Sequence, residues 1–161
     1  LDIPFLCVPD SQIKDPLVAA PNAVHVLIAL ENVMTALDTL GACKFMGFCV
    51  AADEWVELVE HCLGHKFTYD DLVKIGERAY NLARVFNVRE GVTRADDTLP
   101  PRLLEEPLTE GPAAGKVNEN LSAMLDKYYE LRGWDRATGK PTPDKLRELG
   151  LEEYISDIWG K

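Results

Sequence analysis

The sequence predicts an all-α fold, on two observations. Apolar periodicity along the 161 residues has almost everywhere the 3.6-residue repeat of a helix, and no alternation of period two persists beyond a few residues. The helical stretches are also bounded by Asn, Thr or Pro at their starts and Gly at their ends, the residues that satisfy or terminate helix backbone. The expectation is an irregular domain of about five to seven helices with a long Pro/Gly-rich connector. Residues 1–161 read as a single helical domain with one core, and 1–21 as an extended lead-in.

Residues 22–40, NAVHVLIALENVMTALDTL, place Val26, Leu27, Leu30, Val33, Met34, Leu37 and Leu40 on one broad stripe, closed by Gly41. A second helix spans 52–63, with Trp55, Leu58, Val59 and Cys62 at helical spacing and Gly64 as its stop. The third starts at Thr68, where Asp71 three residues on suits a capping box. Leu72, Ile75, Ala79, Leu82, Ala83 and Phe86 form its expected apolar face up to about Asn87. Residues 91–117 are the connector, holding four of the ten prolines and three of the eleven glycines, with TEGPAAGK read as a surface loop. A fourth helix runs from about Asn118 to Leu131. A short fifth has Thr142 as cap, Pro143 at its first position and Gly150 past its end. A last turn or two falls in EEYISDIW.

A net charge of −10 excludes a nucleic-acid surface, which needs a dense Lys/Arg face, and an anionic membrane surface as well. No apolar run approaches the roughly 20 residues of a membrane span, and the first residues lack a signal-peptide pattern, so a cytoplasmic protein is expected. Leu1 in place of Met implies a processed chain or a fragment. Cys7, Cys43, Cys49 and Cys62 have no C-x-x-C spacing, and Cys7, Cys49 and Cys62 read as buried free thiols.

Few residue clusters promise chemistry. His61 and His65 are four apart, but HCLGH lacks the Glu of a zinc-protease signature and Gly64 breaks the helix between them; both read as ordinary histidines, and His25 as structural. Asp96 and Asp97, beside Arg94 and Arg102, read as a loop-fixing ion-pair set. No phosphate loop or nucleophile elbow is present. The exception is ALDTLGACKF, residues 36–45. Asp38 stands in the last helical turn, where the helix dipole disfavours an anion, so it calls for a partner with N–H donors. Cys43 leaves the helix in a turn, where it can meet a metal as thiolate, with Lys44 favouring that anion. The competing reading is a plain helix end with a buried Cys.

DTLGACKF resembles the D-x-x-G-L-C motif of the tungsten-containing aldehyde:ferredoxin oxidoreductase family. IGERAYNLARVFNVREGVTRADDTLPPR, residues 75–102, and LDKYYELRGWDRATGKPTPDKLRELGL, residues 125–151, resemble two further long segments of that family, in the same order. The resemblance implies a tungstopterin (bis-molybdopterin, with molybdenum in rare relatives) beside a 4Fe–4S cluster, oxidising an aldehyde with water to a carboxylic acid and passing electrons to ferredoxin. Carried over, Cys43 is the fourth cluster thiolate and thus the one metal ligand here. Asp38 bonds the pterin's amino-pyrimidine edge, and the backbone at Ala42 packs on the cofactor. Ala42 stands where the family has Leu, which loosens that contact, and Val92 where it has an aromatic. The family's other three cluster cysteines, its pterin-binding β domain and its acid/base side chains lie upstream, and no such triplet occurs here. The chain is thus expected to be the C-terminal part of a longer oxidoreductase. By itself it is expected to bind no cofactor, be inactive, and leave a cofactor-facing surface open to self-association as a homo-oligomer. Two other readings are a stand-alone helical binding or regulatory module that lost the cofactor, and an accessory subunit completing the site in trans.

Overall fold

The structure, a computed structural model, describes residues 23–111 and 114–160, apart from the side chain of Phe48. The expected lead-in at 1–21, and Cys7 in it, lie outside the described residues. Among the described residues seven α-helices follow in order: α1 Val24–Thr39, α2 Ala52–Leu63, α3 Tyr69–Arg89, α4 Pro101–Glu105, α5 Leu121–Arg132, α6 Pro143–Glu148 and α7 Ile155–Trp159. Short 3-10 turns at Lys44–Phe48, Arg94–Asp96 and Glu152–Tyr154 join them. Among the described residues the only β pairing is an isolated bridge between Trp134 and Pro141. The fold is all-α.

Helix ends form where the sequence supplies capping chemistry. Thr68 accepts from the Asp71 backbone N–H while the Asp71 carboxylate accepts from Thr68, closing the box at the start of α3. Thr142 caps α6 by accepting from Lys145 N–H, with Pro143 at its first position. Glu54 takes the Ala51 N–H at the start of α2. At the C-terminal end of α1, Gly41 has φ +69°, and its N–H and that of Ala42 return to the Asp38 and Leu37 carbonyls at 3.0 and 3.1 Å. That pair of bonds is a Schellman turn, and the left-handed residue it needs is strained for anything with a Cβ. The described residues of the connector's tail, 109–111 and 114–116, are exposed and non-helical, as expected of a surface loop, whereas the part before it is more ordered. That part contains α4, and Leu108 and Gly115 bond across the loop at the tip.

α1 and α3 form the spine. They meet at Gly76, so closely that a Cβ on Gly76 would lie 1.7 Å from the Asn32 carbonyl oxygen. Around this crossing lie three apolar clusters. Val33, Ala36, Leu37, Trp55, Val59, Phe67 and Leu72 join α1, α2 and the start of α3. Val85, Leu146, Leu149, Leu151 and Ile158 seat α6 and α7 on the far half of α3. Val24, Tyr128, Tyr129 and Trp134 bind α5 to the start of α1.

Two expected helix faces are rotated. On α1 the buried positions are Val24, Asn32, Val33, Ala36 and Leu37, while Leu27 and Leu40 are exposed. On α3 the buried positions are Leu72, Gly76, Asn81, Arg84 and Val85; Ile75, Leu82 and Phe86 point outward. The cause is a set of buried polar partners, which outweighs the count of apolar residues. Cys49 and Cys62 are exposed, against the expectation of burial.

Candidate functional site

The first candidate is the joint after α1. The Schellman turn ends the helix, and Cys43 follows in extended conformation (φ −67°, ψ 127°) with its thiol exposed. Ala42 is half-buried against the Trp55 cluster, so its methyl side anchors the turn while its neighbours face outward. Asp38 finds its partner in Lys44, whose Nζ lies 2.9 Å from Oδ2 with both side chains about half exposed. The ammonium expected to favour the Cys43 anion is therefore engaged by the carboxylate five residues before that thiol. Asp38, Ala42 and Cys43 thus share one short surface segment, with Leu40, Phe45 and Met46 exposed around it.

The other sequence candidates fall elsewhere. His61 Nδ1 lies 2.7 Å from the Glu57 carbonyl and His65 Nδ1 3.4 Å from that of Leu63, on either side of Gly64 at φ +73°. Among the described residues no three His, Cys, Asp or Glu side chains converge to hold a metal. His25 is exposed on α1. The two adjacent aspartates divide their work. Asp96 closes a capping box on Thr93. Asp97 receives Arg84, through Nη1 at 2.7 Å and Nη2 at 2.5 Å, and the Tyr129 hydroxyl. The arginines named beside them go to other partners: Arg94 to Asp126 at 2.6 Å, and Arg102 to Glu106 at 3.9 Å.

Of a second region, residue chemistry picked out only Asp97. Arg132 is fully buried, yet its guanidinium meets Glu31 at 2.7 Å and the Asn32 side-chain oxygen at 2.5 Å, and lies over the Tyr80 ring. Tyr80 and Tyr128 both donate to the Glu31 carboxylate, at 3.0 and 2.7 Å. Next to this set, Arg84 donates to Asp97 and to the Gly139 carbonyl, and lies over Trp134, whose Nε1 donates to Asn81 at 2.7 Å. The two signature stretches, 75–102 and 125–151, supply nearly all these groups. Their length was the available signal: they fold against each other and against α1. Between α1, α3 and α5 a cavity of about 430 Å³ opens, apolar at Leu27, Leu121 and Met124 and polar at Glu31, Arg84 and Asp97.

Burial sets the titration of these hydroxyls. It pushes the Tyr129 hydroxyl up to about 12, helped by the Asp97 carboxylate it donates to. Burial also raises Tyr80 and Tyr128. A tyrosine in the unfolded chain titrates near about 10. The folded chain therefore holds the Tyr129 proton more tightly. That contribution to stability is complete below about pH 10 and is lost as pH rises toward about 12. Chemical unfolding measured across this window is expected to show stability falling with pH, with a shallower fall in Tyr129→Phe. An unchanged slope in the variant would refute this assignment.

Fold and site together define an all-α domain whose signature residues form buried ion pairs, with a carboxylate and a thiol exposed at one helix end. The chain belongs to the aldehyde ferredoxin oxidoreductase family: the family model described as aldehyde ferredoxin oxidoreductase, domains 2 and 3, matches residues 4–151. It is 42% identical over 141 residues to the tungsten-containing aldehyde ferredoxin oxidoreductase of Pyrococcus furiosus, covering 87% of this chain and 23% of that protein. With the Pyrococcus horikoshii protein of the same name it shares 41% identity over 142 residues, again 23% of the relative. The chain thus spans about a quarter of the length of these curated relatives. Among solved structures, the active site complex BamBC of benzoyl coenzyme A reductase, in complex with 1,5-dienoyl-CoA, superimposes with a TM-score of 0.60 at 21% identity, over 90% of this chain and 25% of that one. That likeness shows the shared fold. No described helix is long and apolar enough to cross a membrane.

Proposed function

We propose that this chain is the C-terminal helical domain, residues 1–161, of a longer tungsten enzyme that oxidises aldehydes to carboxylic acids, and that Cys43, Asp38 and Ala42 face its redox centre. The observation that carries the reading is the joint after α1: a left-handed glycine turns the backbone so that an exposed thiol follows an accessible carboxylate within six residues. Membership in a family whose relatives are named as tungsten-containing supports the choice of cofactor.

The donor set fits such a centre in part, as a domain's share of it. Cys43 Sγ is exposed and can serve as one thiolate ligand of a 4Fe–4S cluster, which needs three more from elsewhere. The Asp38 carboxylate can accept from the amino and ring N–H groups of a pterin edge once Lys44 gives way. Half exposure of both partners makes that exchange cheap. Ala42 offers a small methyl, held by the Trp55 cluster, against which a planar group can lie. When bound, the tungstopterin and cluster supply the two-electron oxidation and the electron path to ferredoxin. This chain's residues position those groups and tune their charge. The reading also places the protein in the cytoplasm, and makes the isolated chain inactive.

Cys43→Ser in the protein carrying all its domains is expected to lower the iron content or alter the cluster's EPR signal. Cys49→Ser, exposed but outside the joint, is expected to do neither. Full iron and an unaltered signal in Cys43→Ser would reject the ligand assignment.

A further inference from the structure

Helix α3 is turned inside out relative to its composition. Its buried side carries Asn81, Arg84 and the half-buried Tyr80, all hydrogen-bonded, while its outer side carries Ile75, Leu82 and Phe86 at 40%, 38% and 54% exposure. These three fall with Ala79 at spacings of four, three and four residues, one straight apolar row over three turns. The row is about 16 Å long at 1.5 Å per residue. In a chain of 27 acidic residues, none interrupts it; its edges carry Arg78, which donates to the Leu149 carbonyl, and Arg89, stacked over the Phe86 ring at 5.1 Å and paired with Glu90 at 3.3 Å. A solvated helix face in so acidic a protein would be expected to carry charges.

We propose that this row is the surface on which the remaining domains of the longer polypeptide dock, through an apolar face of their own. The inference rests on the reading of the chain as part of a longer enzyme, in keeping with relatives of which it spans 23%. It concerns the outer face of α3, none of whose row residues belongs to the cluster that holds the Asp38–Cys43 joint. A second copy of the chain is the weaker occupant. Three large side chains on one helix fall short of the roughly 800 Å² per partner that a stable dimer buries. A contact within one polypeptide needs less, because the linker supplies a high effective concentration.

The test is thiol labelling of the native longer protein at single introduced cysteines, read by peptide mass spectrometry so that the native cysteines do not interfere. Phe86→Cys and Leu82→Cys are expected to react with N-ethylmaleimide at least about tenfold more slowly than Lys74→Cys, which is exposed on the same helix outside the row, with all three rates equal after unfolding in urea. Either row position, in a variant that keeps native circular dichroism, is sufficient. Equal native rates would overturn the docking surface and leave the enzyme assignment standing. Protection that disappears on dilution would overturn it in favour of a second copy. A native gene product of only 17.9 kDa would overturn the assignment beneath it, and the docking surface with it.

Discussion

Gly76→Ala is expected to be among the most damaging single-methyl changes in the protein. An alanine Cβ at this position would sit 1.7 Å from the Asn32 carbonyl oxygen and 2.6 Å from its carbon. Both are backbone atoms in the middle of α1, so no side chain can swing aside to relieve the overlap. The helices must separate, which loosens Ala36 and Leu37 from the cluster shared with Trp55 and Leu72. Overpacking of this kind costs about 3 kcal/mol, while Gly→Ala in a helix interior returns about 1 kcal/mol through propensity. A net loss of about 2 kcal/mol or more is expected. In thermal unfolding this corresponds to a drop of roughly 4–8 °C for a chain of this size. A midpoint equal to or above that of the parent would show that α1 and α3 do not approach as described.

Arg132→Met is expected to cost more. Arg132 is fully buried, so its removal leaves the Glu31 carboxylate facing Tyr80 and Tyr128 without its counter-charge, and strips the Asn32 side chain of its donor. Breaking a buried pair by deleting one partner costs about 3–5 kcal/mol. Adding Glu31→Gln removes the stranded charge while preserving an acceptor for the two tyrosine hydroxyls. The double variant is therefore expected to be more stable than Arg132→Met, with urea midpoints as the readout. A double variant as unstable as the sum of the two single changes would mean that the pair is not coupled.

The contrast between these two positions and the helix faces explains what could be read from the sequence. Helix starts and stops were legible because their chemistry is local: Thr68 with Asp71, Thr142 with Pro143, and Gly41 and Gly64 all act within a few residues. The all-α class followed from the same local signals. The buried side of α3 was not legible. An apolar count turns Ile75, Leu82 and Phe86 inward, but Arg84 needs Asp97 and Gly139, and Trp134 needs Asn81, partners 13 to 55 residues away. Gly76 reads as a weak point in a helix until Asn32 is laid against it. The joint after α1 was partly legible: the helix stop could be placed, whereas the pairing of Lys44 with Asp38 could not. Cys49 and Cys62 illustrate the limit of composition, since a small apolar group at helical spacing does not say which way it faces.

The pairing of Arg132 with Glu31 spans 101 residues of chain. On the ribosome, Glu31 leaves the exit tunnel long before its partner is even translated. At about 5–20 residues per second, α1 waits roughly 5–20 s for the cation that seats it. Through that interval α1 has its C-terminal glycine turn and its apolar neighbours on α2 and α3, but not the lock that joins it to α5. The last quarter of the domain to be synthesised is therefore the part that closes the first.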